Sequence, residues 1–274
     1  MRVKSNPTNR GFEAKAISGT HTVLLALNCP EALRNGLKGF AFEREMVGAG
    51  SKGPKFLRSQ KVFKSVVPDP KNAHDPNDPS KPAAFYTDKF PVQSFLWGDY
   101  AAFPGTTYRF RIQPMFGTPG ALTTDPADEI KVEITTETEW DARTKHGVWF
   151  NRGAIASQKF AEEFGNKPPQ DINDPKDPTV QWLSRGLLEA CLGYINETKP
   201  GDALRVAAYE FTYPPVLNAL KALIDKGIDV QIVYHDTTDA KGAPNETAMK
   251  AAGLPVNDQK TTCLLYTSPS PRDS

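Results

Sequence analysis

The sequence predicts a β-sandwich followed by an incomplete α/β domain. From Gly11 to about Thr136, short segments of alternating apolar and polar residues are separated by turn residues, which is typical of an all-β unit. After Glu137, helical spacing of apolar residues alternates with short apolar strands, which is typical of α/β structure. We therefore divide the chain into a sandwich at 1–137, a linker at 138–146, an α/β portion at 147–262 and a tail at 263–274.

The tail, Cys263 to Ser274, reads CLLYTSPSPRDS. One reading frame of a sequencing-library transposon adaptor reproduces Cys263 through Asp273 letter for letter, and the preceding adaptor base fits a codon for Thr262. The tail therefore resembles translated adaptor DNA, and we expect the native reading to end near Thr262. We exclude the tail from the prediction of the fold.

Length and charge limit the classes of protein. The 274 residues suffice for one large or two ordinary domains. The net charge of +1 creates no overall field that would attract nucleic acid or an anionic membrane. No apolar run is long enough to cross a bilayer, and the basic N-terminal residues precede no apolar core of the kind that a signal peptide has. We therefore expect a cytoplasmic protein without a transmembrane segment, and we expect no cofactor.

Two cysteines lie outside the tail. Cys29 ends an apolar strand-like run, and Cys191 lies in a helical one. We expect both to be reduced and buried, as in a cytosolic protein. A disulfide between them stays the alternative, although it would join two different predicted domains.

In the first part, the predicted strands follow one another through short turns. Phe12 to Ala16 alternates, and Gly19-Thr20 makes a tight connection to an apolar strand. The remaining strands are predicted at 21–29, 37–44, 93–97, 107–114 and 129–135. In the last one, Ile130, Val132 and Ile134 alternate with polar residues, which predicts a half-buried strand.

One turn in this part is more specific. The segment Phe103-Pro-Gly-Thr-Thr-Tyr108 leads into a strand in which Phe110 and Ile112 share one face. This segment resembles the turn into the sixth strand of fibronectin type III domains, where a tyrosine hydroxyl ties back to the backbone. The resemblance covers roughly residues 10–137, and it implies this structural role for Tyr108.

The stretch from Val67 to Phe90 is rich in Pro and Asp and departs from the fibronectin pattern, because the family usually has a short connection there. Its sequence DPKNAHDPNDPSKP lacks the spacing and the glycine of an EF-hand. A cation-binding loop is one interpretation, and a solvated, turn-rich loop is the one we favour.

In the second part, strands and helices alternate. The predicted elements are a strand at 148–150, helices at 152–164 and 179–197, a strand at 203–211, a helix at 214–226, a strand at 228–235 and a helix that begins at 246. Strand, helix and strand of these lengths form a βαβ unit, so we expect the last two strands to pair in parallel. The sequence contains neither a glycine-rich phosphate loop nor a nucleophile elbow.

Four segments of the second part carry a further resemblance. In chain order they are Phe150-Asn151-Arg152-Gly153, AAYEFT at 207–212, LNALKA at 217–222 and DKGIDVQIVYH at 225–235. Their order and spacing resemble the phospholipase D superfamily over about residues 147–256. Ile228 stands where that family usually has valine.

This resemblance implies a phosphodiesterase that generally needs no metal. Family members use two His-x-Lys-x4-Asp motifs: one histidine attacks phosphorus covalently, the other protonates the leaving oxygen, and the lysines hold the phosphate charge. The chain has His21, His74, His146 and His235, and none is followed two residues later by Lys or Arg. No catalytic residue is therefore carried over, and we expect an inactive chain whose first motif would follow Thr262.

Two residues are candidates for supporting roles. Glu210 lies inside a predicted apolar strand, where it either aligns a catalytic histidine from behind or faces solvent at the strand end. His235 ends a predicted strand at the carboxyl edge, where ligands of α/β proteins bind. Its side chain either lines the site or forms its hydrogen bonds with a neighbouring loop.

Two hypotheses for function remain. In the first, the parent protein is a phospholipase D-like phosphodiesterase that acts on a lipid head group, a nucleic acid or another diester. In the second, it is a non-catalytic binding or scaffold protein whose sandwich contacts a protein partner and whose α/β portion is degenerate. We also expect the α/β portion to expose apolar surface when isolated, since its sheet ends at an edge strand.

Overall fold

The computed structural model describes residues 1–48, 50–143, 145–152, 158–235 and 244–256. The fold is mixed, with several antiparallel sheets and a smaller share of helix. The chain divides into two compact units, an N-terminal unit at Met1–Val148 and a C-terminal unit at Trp149–Ser274.

The N-terminal unit consists mainly of strands. In chain order they are β1 (Arg2–Lys4), β2 (Glu13–Ser18), β3 (Val23–Asn28), β4 (Gly39–Met46), β5 (Lys55–Phe56), β6 (His74–Asp75), β7 (Asp78–Pro82), β8 (Leu96–Asp99), β9 (Thr107–Thr118), β10 (Ala121–Thr123), β11 (Ile130–Thr135), β12 (Trp140–Asp141) and β13 (His146–Gly147). A short helix, α1 (Glu31–Arg34), follows β3, and a 3-10 turn (Pro126–Asp128) precedes β11.

Two antiparallel sheets of this unit share one hydrophobic core. The first sheet has the order β1-β2-β3-β8, and the second has the order β10-β9-β4-β5 with β11 paired to β9. The second sheet supplies the fully buried aromatic residues Phe40, Phe42, Tyr108 and Phe110, and Phe12 directly precedes β2. The first sheet adds smaller buried side chains, namely Ala14, Ala16, Val23 and Leu25. Alternation explains this layering, because each strand sends every second side chain to the same face.

The alternation predicted for β11 is confirmed. Ile130, Val132 and Ile134 are buried, whereas Lys131 and Glu133 between them are exposed. The strand pairs antiparallel with β9. One face of β11 therefore contributes to the core, and the other carries the charged residues.

Some boundaries predicted in the N-terminal unit are wrong. The strand expected at 93–97 begins at Leu96 and ends at Asp99, and the loop expected at 67–90 contains the hairpin of β6 and β7. The segment expected as a linker contains the hairpin of β12 and β13. The backbone N–H of Val148 donates to the carbonyl of Glu139 at 2.7 Å. This bond ties Val148 to the hairpin, and residues 148–150 form no strand.

The C-terminal unit alternates helices and strands. In chain order they are α2 (Gln158–Phe164), α3 (Pro178–Ser184), α4 (Leu187–Asn196), β14 (Ala203–Ala208), α5 (Pro214–Asp225), β15 (Asp229–Tyr234) and α6 (Pro244–Ala251). The parallel pairing of β14 and β15 is confirmed, with Ala203 opposite Asp229 and Ala208 opposite Tyr234. The predicted start of the helix before residue 158 includes residues 153–157, which lie outside the described residues.

The long helix predicted at 179–197 is wrong, because the chain breaks it into α3 and α4. Asp177 caps the start of α3 by accepting from the N–H groups of Thr179 and Val180. Arg185 and Gly186 then adopt left-handed conformations, with φ of 51° and 83°. This geometry ends an α-helix, and glycine tolerates it best.

The core of the C-terminal unit lies between one face of the parallel pair and the helices. Its most buried side chains are Leu217, Leu220 and Leu223 of α5, with Met249 of α6 and Leu254 beyond it. The three leucines recur every three positions within α5, as the sequence predicts for an amphipathic helix. No helix among the described residues is long and apolar enough to cross a bilayer.

Candidate functional site

The candidate site is the carboxyl edge of the parallel pair in the C-terminal unit. Both β14 and β15 end at this edge because they run in the same direction. The chain leaves β14 here and enters α5, whose first residue is Pro214. Ligands of open α/β sheets bind outside the carboxyl ends of the strands, so the residues that follow β14 and β15 define the site.

Asn245 joins the two strand ends. It is buried, its amide oxygen accepts from the N–H of Phe211 at 2.7 Å, and its amide nitrogen donates to the carbonyls of Tyr209 (2.8 Å) and His235 (2.7 Å). One side chain therefore satisfies three backbone groups from the chain beyond both strands. Since buried backbone groups need partners, Asn245 fixes the path of the chain at this edge.

The rings of Tyr209 and His235 stack on each other at the same edge. Their centroids are 4.7 Å apart, and their planes differ by 26°. The N–H of His235 donates to the carbonyl of Ala208 at 3.0 Å, which continues the parallel ladder by one residue. Tyr209 is 62% exposed, so the stacked pair forms an accessible aromatic wall beside the strand ends.

Glu210 faces solvent, which is one of its two predicted alternatives, and the strand predicted at 203–211 is shorter than expected. The strand ends at Ala208, and Glu210 occupies a bend two residues later with an exposed side chain. Among the described residues, no hydrogen bond joins Glu210 to His235. The bend ends the strand before Glu210, so the alternation of a strand does not place this carboxylate.

His235 is half-buried between its ring contact with Tyr209 and its backbone bonds to Ala208 and Asn245. The backbone is thus held by neighbouring segments, while the ring covers an aromatic residue at the edge. Residues 236–243, which follow, lie outside the described residues.

Two helices add their N-termini to this edge. Helix α5 begins after Tyr213, and α6 begins at Pro244, directly before Asn245. The N-terminal end of a helix carries partial positive charge, which favours anions. Helix α5 adds no free N–H group, because Pro214 and Pro215 have none and the N–H groups of Val216 and Leu217 donate to the carbonyl of Tyr213. The edge therefore offers a phosphate the partial charge of two helix ends, and His235 has no lysine two residues later.

Tyr108 lies in the N-terminal unit and has a structural contact. The residue is 2% exposed, and the backbone N–H of Phe103 donates to its hydroxyl at 2.8 Å. The guanidinium of Arg44 lies 5.1 Å from the ring centroid. A buried tyrosine that receives a hydrogen bond from the backbone just upstream has the geometry of a tyrosine corner.

The two cysteines outside the tail differ. Both are free thiols, and Cys29 is buried as predicted. The prediction for Cys191 is wrong, because this residue is exposed. It lies on the side of α4 that borders a surface cavity instead of the core.

Asn245 and Tyr209 are the functional candidates that sequence reasoning missed. The stacking of Tyr209 on His235 follows from the parallel register, since the residues next to the pair Ala208 and Tyr234 lie opposite each other. Extending that register by one position would have found the contact. The role of Asn245 depends on a carbonyl 36 residues away, and no local pattern indicates it.

No family model matches the chain, and no curated protein matches its sequence.

Proposed function

We propose that the C-terminal unit is the first part of a phospholipase D-like phosphodiesterase domain. The observation that carries this proposal is the carboxyl edge, where Asn245 ties the ends of two parallel strands and Tyr209 stacks on His235. Tyr209 belongs to the segment AAYEFT and His235 to DKGIDVQIVYH, two of the segments on which the resemblance rests. The parent protein would hydrolyse a phosphodiester through a phosphohistidine intermediate.

In this proposal the chain binds and orients, and it does not itself perform the chemistry. The partial positive charge at the starts of α5 and α6 attracts the phosphate, although the two prolines that open α5 supply no N–H group. The wall of Tyr209 and His235 limits where the substituents of the diester lie. Glu210 is exposed at the same edge, where its carboxylate is free to orient a histidine from an adjacent strand.

The catalytic histidines and lysines belong to the parent protein downstream of Thr262. One histidine would attack phosphorus and the other would protonate the leaving oxygen, while the lysines stabilise the charge. The substrate class is a phosphodiester, and a lipid head group, a nucleic acid and another diester fit equally. In front of this domain we propose a fibronectin type III-like domain, supported by the shared core of two sheets and by the contact of Tyr108 with Phe103.

A second candidate is a non-catalytic binding protein, and the outer faces of the N-terminal unit favour it. The five-stranded sheet covers its outer face with ion pairs such as Arg109–Glu133 at 2.9 Å. The four-stranded sheet instead exposes Leu96 and Tyr100, with Lys15 on the same face. Apolar residues beside a cation suit a protein partner with an acidic, apolar surface.

An activity assay of the parent protein tests the first candidate. The protein expressed from the source gene through its own stop codon is expected to hydrolyse bis(p-nitrophenyl) phosphate. Alanine in place of the histidine of either motif should abolish turnover. The present chain should not exceed the buffer rate, because it lacks both motifs.

A second test is Glu210→Gln in the active parent protein. If Glu210 orients a histidine, this change lowers kcat by about 10–100-fold with little change in KM, by analogy with other outer-shell partners. A parent protein with both motifs but no turnover of any phosphodiester would overturn the proposal. Turnover that survives replacement of both histidines would overturn it as well.

A further inference from the structure

A surface groove in the C-terminal unit adjoins the carboxyl edge at Tyr213 and is lined by none of Tyr209, His235 and Asn245. It lies between α3, α4, the loop before α3 and the residue that precedes α5, and it encloses about 470 Å³. The break at Arg185 and Gly186 creates it, because α3 and α4 diverge where a continuous helix would have packed as one rod. The N–H of Leu188 donates to the hydroxyl of Ser184 at 2.7 Å and fixes this break.

The walls of the groove are mostly apolar and accessible. Ile172 is 63% exposed and Leu187 is 38% exposed, with Leu183 and Leu188 beside them. Cavities of this volume with apolar walls and a few polar groups are typical of small-molecule sites. The apolar walls therefore favour a ligand with a hydrocarbon body.

Carboxylates neighbour the residues that line the groove: Asp171 precedes Ile172, and Glu189 accepts a hydrogen bond from the hydroxyl of Ser184 at 2.9 Å. The hydroxyl of Tyr213 lines the groove and donates to the carbonyl of Ile172 at 2.9 Å. Burial raises the pKa of Tyr213, and the negative charges of Asp171, Glu189 and Asp174 raise it further. Each of these three acids accepts a hydrogen bond from an uncharged group, namely the N–H of Asn173, the N–H of Lys176 or the hydroxyl of Ser184. None of them forms an ion pair with a residue that the structure describes, so no described cation neutralises their charge.

We propose that this groove binds a small amphiphilic cation, with its hydrocarbon body along Ile172 and Leu187 and its positive group near Asp171 and Glu189. The carboxylates disfavour an anion, and the apolar walls disfavour a compact hydrated ion. This proposal does not rest on the proposed phosphodiesterase, because the groove is lined by none of Tyr209, His235 and Asn245.

Isothermal titration calorimetry on the full chain tests the proposal with three probes of equal chain length. These are decyltrimethylammonium, decanol and decanoate, each below its micelle concentration. We expect decyltrimethylammonium to bind about tenfold or more tightly than decanoate, with decanol between them, because the carboxylates attract the cation and repel the anion. Equal affinity for all three probes, tighter binding of decanoate, or binding of none overturns the proposal.

Variants locate the site. Ile172→Gln with Leu187→Gln should weaken all three probes, because these exposed side chains supply the apolar walls. Asp171→Asn with Glu189→Gln should remove the preference for the cation and leave decanol binding unchanged. The matched control is Glu197→Gln, which removes an acid at the C-terminal end of α4 outside the groove. If the wall variants bind like the unmodified chain, or if Glu197→Gln alone removes the preference, the assignment to this groove is wrong.

Discussion

The sheets of the two units pack against different partners. In the N-terminal unit, two sheets face each other across one core, and the inward side chains of both are buried. In the C-terminal unit, the parallel pair packs on helices with one face only. Its other face exposes Arg205 and Ala207 of β14 beside Gln231 and Val233 of β15. The sheets of the N-terminal unit also expose their outer faces, as antiparallel sheets commonly do, whereas parallel sheets are usually covered on both faces. The exposed face is therefore unusual in the described part of the C-terminal unit and ordinary in the N-terminal unit.

The specific contacts of the N-terminal unit are buried and serve its stability, whereas those of the C-terminal unit are accessible and could serve binding. The N-terminal unit places its specific contacts, such as Tyr108 with Phe103, inside the structure. The C-terminal unit places its aromatic pair, Tyr209 and His235, at an accessible edge and leaves a groove between α3 and α4. Substitutions in the two units should therefore differ in what they disturb.

The largest effect is expected for a substitution in the shared core of the N-terminal unit, compared with one on the exposed face of the parallel pair. Phe110→Ala should lower the free energy of unfolding of the N-terminal unit by about 3–5 kcal/mol, since Phe110 is fully buried in the shared core. Val233→Ala, on the exposed face, should cost less than about 0.5 kcal/mol. Urea titration followed by hydrogen-exchange mass spectrometry reports on each unit separately. Similar losses for the two variants would contradict the difference.

Asn245→Ala should be the most damaging polar substitution in the C-terminal unit. It removes one acceptor and two donors from three backbone groups, and we expect a loss of about 2–4 kcal/mol. Faster hydrogen exchange at Phe211 should accompany it. The control is Asn218→Ala on the exposed side of α5, which should change stability by less than about 0.5 kcal/mol.

Tyr108→Phe removes a single oxygen atom and tests how much its hydrogen bond stabilises the N-terminal unit. The change leaves the N–H of Phe103 without its acceptor, and we expect a loss of about 1–3 kcal/mol in urea unfolding. Tyr100→Phe removes the same atom from a side chain that is 73% exposed and should have no measurable effect. A neutral Tyr108→Phe would show that this hydroxyl does not stabilise the turn.

The smallest effect is expected on the exposed face of the parallel pair. Arg205 pairs with Asp229 at 2.6 Å, but both side chains are about half exposed. Arg205→Ala should cost about 0–1 kcal/mol at low ionic strength and less in high salt. A large, salt-independent loss would mean that this face is covered in solution.

Local patterns predicted much of both units, and long-range contacts limited the rest. The alternation of Ile130, Val132 and Ile134 identified a strand, and strand, helix and strand predicted the parallel pair. The break at Gly186 was missed because the apolar spacing continues across it, although its φ of 83° ends the helix. Asn245 was missed because its partners lie in distant segments.

The measurement that tests the proposed phosphodiesterase most directly is the sequence of the source DNA beyond codon 262. The proposal predicts an open frame with His-x-Lys-x4-Asp within a few tens of residues, and a second such motif either later in that frame or supplied by a second subunit. An open frame with neither motif would contradict it and would leave a binding protein with an accessible α/β edge.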